Sequence, residues 1–201
     1  VCVTFRDPNE RGAALRQMID ETPEFFGLVF RRTRSNVRTT AKHFADAGYS
    51  VGALHGDLTQ QQRDKVMRSF RNHEIQILFA TDVAARGLDV SDVTHIVHFD
   101  ISPDVETYTH RSGRTARAGK SGISVVFAVP EDHRKLIGFE RTLKTKFEYQ
   151  GVPQEQCLSS KGKGESRGRE KSGRGGQRNW SGPSRMKRKY GKSPKIKGSV
   201  K

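Results

Sequence analysis

Apolar positions follow two alternating rhythms over residues 1–147. Strands are predicted over residues 1–5, 25–30, 50–54, 75–80, 95–99 and 123–129, and the continuous apolar run 25–30 has the pattern of a strand buried on both faces. Helical spacing separates them. Residues 9–21 place Ala14, Leu15, Met18 and Ile19 on one face before Thr22-Pro23 stops the helix. Ser35 is predicted to cap a helix to residue 47, with Val37, Ala41, Phe44 and Ala45 inward and Gly48 as the stop. Thr59-Gln60-Gln61-Gln62 has the form of a capping box ahead of Val66, Met67 and Phe70. Residues 131–144 form the last predicted helix, with Leu136, Ile137 and Leu143 facing in. Strands alternating with helices predict right-handed crossovers and an open, doubly wound parallel α/β sheet.

Past residue 147 the periodicity fades, so the expected organisation is one folded domain over 1–147 and a tail over 148–201. Charge marks the same division. The chain carries a net charge of +15, but residues 151–201 hold 15 Lys and Arg against 3 Glu, whereas the rest holds 22 against 19. With ten Gly, eight Ser and only Trp180 and Tyr190 as aromatics, the tail has too little apolar surface to offset its ordering entropy and is expected to be disordered. A dense polycation of this kind suits sequence-independent nucleic-acid binding, with the two aromatics available to stack on bases; a solubilising tail is the alternative.

Cys2 and Cys157 are too few for a disulfide framework and lack metal-ligand spacing, so no metal site is expected. No apolar run nears the ~20 residues of a membrane span, and no signal peptide is visible. These features lead to an expectation of a cytoplasmic protein without a membrane partner; the run Arg185 to Lys189 also has nuclear-localisation character. A first residue of Val rather than Met leads to the expectation of a piece of a longer protein.

Candidate chemistry concentrates in residues 77–119. Two apolar runs there each end in charge: Ala80-Thr81-Asp82 after the first, and His110-Arg111-Ser112-Gly113-Arg114-Thr115-Ala116-Arg117 beyond the second. Adjacent parallel strands would deliver these groups to one edge. On a helix begun at Pro103-Asp104, Arg111, Arg114 and Arg117 would recur every three residues. Two readings stand on the residues alone: a solvated basic face that suits the helix macrodipole, or a phosphate-binding face. The stretch Gly113 to Ser121 is not a P-loop, because five residues rather than four separate its glycines.

The order of segments adds a third consideration. HRSGRTAR at residues 110–117 resembles motif VI of the DEAD-box RNA helicases, ATDVAARGLD at 80–89 resembles motif V, and His55-Gly56-Asp57 with Gln60-Gln61-Gln62-Arg63 resembles the approach to motif IVa. Gly27 to Arg34, reading GLVFRRTR, is similar to motif IV. The resemblance covers residues 1–147 and implies the second RecA-like domain of a helicase core. It implies arginine fingers at Arg114 and Arg117, and a nucleotide contact by Asp89, on the ATP ribose, beside Gly87. His110, Arg111 and Asp82 would form a polar linkage across the domain interface. RNA backbone contacts would fall to Thr33, Arg34, Gly56, Gln60, Arg63 and Thr81. ATP and Mg²⁺ would bind mainly to a missing N-terminal RecA-like domain, the two domains together would bend one RNA strand locally, and this chain alone would be inactive. Arg31 departs from the family pattern, which favours a small or apolar residue there; Ser112 and Ala116 stand where Ile and Gly are common. Other superfamily 2 helicases usually begin motif VI with Gln rather than His110. The remaining alternative is a non-catalytic RNA-binding or scaffold module.

Overall fold

A computed structural model describes residues 1–88, 90, 92–115 and 121–151. The strands are β1 (Cys2–Thr4), β2 (Gly27–Phe30), β3 (Val51–Leu54), β4 (Ile77–Ala80), β5 (His95–His98), β6 (Ile123–Ala128) and β7 (Tyr149–Gly151). They form one sheet in the order β3-β4-β2-β5-β6-β1-β7, and every pairing is parallel. Helices α1 (Glu10–Asp20), α2 (Arg34–Asp46), α3 (Gln60–Arg71), α4 (Asp82–Ala85), α5 (Val105–Ser112) and α6 (His133–Leu143) complete the domain. This is the predicted doubly wound α/β architecture.

The period of two along each strand sorts side chains onto two faces. Val3, Val29, Phe79, Val97, Val125 and Phe127 meet Leu15 and Met18 of α1 and Val37 and Phe44 of α2. The alternate positions point the other way. Leu28, Phe30, Leu78 and Ile96 pack with Met67 and Phe70 of α3, while Cys2, Val126 and Ala128 pack with Leu136 and Phe139 of α6. Each such burial contributes roughly 1.5–3 kcal/mol against chain entropy.

Several expectations shift in detail. Thr33, not Ser35, caps α2: its hydroxyl accepts from the Asn36 N–H at 3.1 Å. Ala45 is exposed rather than inward. The capping box at Thr59 and Gln62 forms as read. The last helix starts later, because Pro130 opens a short 3-10 turn, Pro130–Asp132, before α6. Phe139, rather than Ile137, is buried in that helix together with His133 and Leu136.

Strand β7 was not among the predicted elements and carries the sheet to Gly151, past the expected end at residue 147. It pairs Tyr149 with Cys2 and Gly151 with Thr4. Three residues with one aromatic are too short for a periodic signal. Gly151 is required by geometry: its φ is +92°, and a Cβ there would lie 2.3 Å from the Thr4 carbonyl oxygen.

The register levels the strands that matter most. Phe30 pairs with both Ala80 and His98, and Ala80 with Leu54. The segments leaving β2, β3, β4 and β5 therefore emerge along one rim, the usual location of sites in open α/β sheets.

Candidate functional site

At the centre of the rim, Ala80 ends β4 and Asp82 opens the single turn of α4. Opposite, α5 begins where the Asp104 carboxylate accepts from the Thr107 N–H at 2.7 Å. Its last turn brings Arg111 over the strand ends. Arg111 Nε and Nη2 donate to the two Asp82 oxygens at 2.6 and 2.8 Å, and Nη1 donates to the Asp100 carbonyl at 2.9 Å. The guanidinium also lies 4.8 Å from the centre of the Phe30 ring. With Arg111 only 3% exposed, this planar two-point pair is a lock between α5 and α4 rather than a free phosphate ligand.

The three-residue arginine spacing does not lie on one helix. Helix α5 ends at Ser112, with Gly113 as its C-cap, so Arg114 stands in the following turn. There its Nη1 donates to the Leu88 carbonyl at 2.9 Å, tying it to the loop beyond α4. A small cavity of about 70 Å³, lined by Asp82, Arg86, His110, Arg111 and Arg114 among others, opens on the rim. That volume suits a phosphate group more than a whole small-molecule ligand, which takes several hundred Å³. Three guanidiniums face one carboxylate, and that carboxylate is already held by Arg111. Net positive potential results.

Arg86 and Thr107 are lining residues that the sequence reading did not single out. Residues 84–89 look like an irregular loop, whereas the turn of α4 folds Arg86 back toward α5. Gly87, at φ +73°, lines a neighbouring groove with Arg63, Met67, Arg68 and Leu88 rather than this cavity. Asp89 and Arg117 lie outside the described residues.

The six residues read as RNA-facing share the same rim. Thr33 follows β2, Gly56 and Gln60 follow β3, and Thr81 follows β4. Several have internal duties. Arg34 pairs with Asp57, Gln60 Nε2 donates to Asp64 at 2.7 Å, and Arg63 donates to the Ala84 carbonyl at 2.7 Å. Arg34 keeps 61% of its side chain exposed, and Thr81 is largely covered. Arg31, the departure in this stretch, turns away from them. Its guanidinium lies 4.3 Å from the Phe99 ring centre, and its Nε is 3.3 Å from Asp100, on the α1 side, where Arg11 also approaches Asp100.

Among the described residues no three His, Cys, Asp or Glu side chains group as metal ligands, and both oxygens of Asp82 are engaged. The described residues on this rim do not fit a Mg²⁺ ion.

Sheet order and rim together define a RecA-like helicase C-terminal domain. The helicase conserved C-terminal domain profile matches residues 10–119. The DEAD-box ATP-dependent RNA helicase CshA of Bacillus cereus is 45% identical over 140 residues, 69% of this chain and 26% of that protein. A DEAD box protein from the hyperthermophile Methanococcus jannaschii superposes with a TM-score of 0.68 at 39% identity, covering 75% of this chain and 41% of the other. Dbp5 of S. cerevisiae bound to RNA and ADP BeF3 superposes at 0.67 with 25% identity, over 77% and 41% of the two chains. The chain belongs to the helicase C-terminal domain family, in its DEAD-box branch. It spans about a quarter of the length of the curated relatives it matches.

Proposed function

We propose that this chain is the C-terminal half of an ATP-dependent RNA helicase core, and that it acts on ATP held between it and an N-terminal RecA-like domain. The observation that carries the reading is the division of labour between two arginines. Arg111 is fully engaged by Asp82 and Asp100, so Arg114 and Arg86 are left to present positive charge to the opening.

In phosphoryl transfer, charge spreads over the equatorial oxygens of the γ-phosphoryl group, and catalysis is mostly positioning and electrostatic stabilisation. Arg114 suits that task because a guanidinium is always charged and offers parallel donors. Its bond to the Leu88 carbonyl aims it before substrate arrives. By resemblance, Arg117 supplies a second guanidinium, Asp89 the ribose contact, and Gly87 an uncrowded backbone beside it. His110 and the Asp82–Arg111 pair couple the nucleotide to the RNA rim. Any Mg²⁺ would be held by groups outside this chain.

RNA lies along the adjoining stretch of rim, from Gly56, Gln60 and Arg63 through Thr81 to Thr33 and Arg34. Hydroxyls, two guanidiniums and backbone groups there fit phosphate and sugar rather than bases, as a sequence-tolerant enzyme requires. Dbp5 of S. cerevisiae, which shares this fold, is bound to RNA and ADP BeF3, and this supports a reading with both kinds of ligand.

The test is RNA-stimulated ATP hydrolysis by the full-length protein carrying Arg114→Ala, with ATP and RNA affinities measured separately. A fall in kcat of roughly 10³ with little change in either affinity is expected for a group acting in the transition state. Unchanged kcat with collapsed RNA affinity would instead make the rim a non-catalytic RNA-binding surface.

A further inference from the structure

Behind the arginines, and fully buried at the end of β5, lies His98. Its ring is the meeting point of three hydroxyls. Nδ1 lies 3.1 Å from Ser102 Oγ, and Nε2 lies 3.2 Å from both Ser112 Oγ and Ser124 Oγ. The last two serines are themselves 3.0 Å apart. Tyr108 stacks on the ring face, with centres 4.8 Å apart and planes inclined by 24°.

Three of those four partners belong to one segment. Ser102 lies just before α5, Tyr108 in its middle, and Ser112 is its last residue; Ser124, on β6, anchors the group to the sheet. An eight-residue helix is too short to hold its form alone, so tertiary contacts set its placement. One imidazole touches the segment's beginning, middle and end. Burial and the nearby Arg111 charge push its pKa well below the ordinary value, so the ring is neutral, with one nitrogen donating and the other accepting.

We infer that His98 is a positioning residue for the arginine-bearing turn. By holding the Ser112 end of α5 against β6, it fixes where the chain emerges into Gly113 and Arg114. The inference rests on the assignment of Arg114 to the nucleotide. It adds that the nucleotide geometry depends on a polar bolt on the far side of the helix, and specifically on its Nε2 end.

The experiment uses the full-length protein with His98→Leu, His98→Asn, His98→Gln and Ser112→Ala, and measures kcat, the KM for ATP, RNA affinity and melting temperature. An asparagine amide replaces the Nδ1 side of the ring, whereas a glutamine amide reaches toward the Nε2 side. Because displacements near 1 Å cost up to about 10²-fold in rate, His98→Leu and His98→Asn are expected to lower kcat about tenfold, Ser112→Ala several-fold, and His98→Gln less than about threefold. KM and RNA affinity should stay within about threefold in all four.

Equal losses in the Asn and Gln variants, with kcat simply following melting temperature, would reduce His98 to a core residue and overturn the inference. So would kcat near wild type throughout. Should His98→Leu fail to fold, the Asn, Gln and Ser112→Ala comparison decides. Arg114→Ala measured in parallel separates the two readings. A large loss there with no effect of the His98 series sinks only the positioning role, whereas no loss there sinks the nucleotide assignment and this inference with it.

Discussion

Arg111 and Asp82 stand 29 residues apart in sequence and meet through two charge-assisted hydrogen bonds at the edge of the sheet. The pair clamps α5 onto the start of α4, just beyond the end of β4. It separates two jobs that the arginine-rich segment seemed to share, since one guanidinium is structural and the next stands beside the opening.

Replacing Asp82 with Ala should therefore unfold the domain more readily, not merely slow catalysis. Removing one partner of a buried ion pair costs about 3–5 kcal/mol, and the low end applies because the Asp82 side chain is 31% exposed. Urea unfolding of the variant checks the figure. A midpoint equal to wild type would mean that Arg111 finds solvent without penalty.

Thr33 combines a cap with a proposed RNA contact, and substitutions can pull these apart. Thr33→Ala should cost about 1 kcal/mol through the lost cap. Thr33→Asp keeps a capping oxygen but places negative charge where a phosphate is proposed. Stability near wild type and weakened RNA binding are expected for it, by urea titration and by filter binding. Undiminished RNA affinity would take Thr33 out of the RNA site.

Acidification should destabilise the domain through its buried histidines. Burial lowers the pKa of His95 to about 4 and that of His98 well below its usual value. In the unfolded chain both bind protons near pH 6.5, so more protons are bound unfolded than folded below that point. Their contribution is complete above pH 6.5 and declines as pH falls from there toward 4, at up to about 1.4 kcal/mol per pH unit for each ring. Urea midpoints measured from pH 7.5 to 5 follow this. His95→Asn should flatten the slope, and a flat wild-type profile would contradict the assignment.

The residues after Gly151 should add affinity through counterion release. If they neutralise on the order of six phosphates, removing residues 152–201 should flatten the single-strand log K against log salt slope by about 4. Equal slopes for the two proteins would leave the segment as a solubiliser.

Much of this fold was legible because strands buried on both faces write themselves as continuous apolar runs, as at Phe30 and Val97. The rim was legible as a list of residues, through a resemblance, but not as a set of jobs. Arg111, Arg114 and Arg117 look equivalent at three-residue spacing until Gly113 is seen to end the helix between the first two. Ser35 and Thr33 are equally good caps on paper. The choice falls to Thr33 because the β2 ladder runs to the Arg31 N–H, which donates to the Ala80 carbonyl, so the chain is free to turn two residues later. His98 was hidden inside an apolar run, and its serine partners come from the α5 segment and from β6, which the parallel register of β5 and β6 brings together.

The position of β7 bears on the basic segment that follows it. Parallel to β1 and at the far end of the sheet from β3, β7 runs toward the rim, so Gly151 lies at the edge that carries Arg114 and Thr81. Five strand spacings separate β7 from β4, roughly 24 Å. Fifteen Lys and Arg follow Gly151 in the sequence. If they bind an RNA strand as proposed, its encounter with the rim becomes intramolecular, governed by the length of the intervening chain instead of bulk concentration.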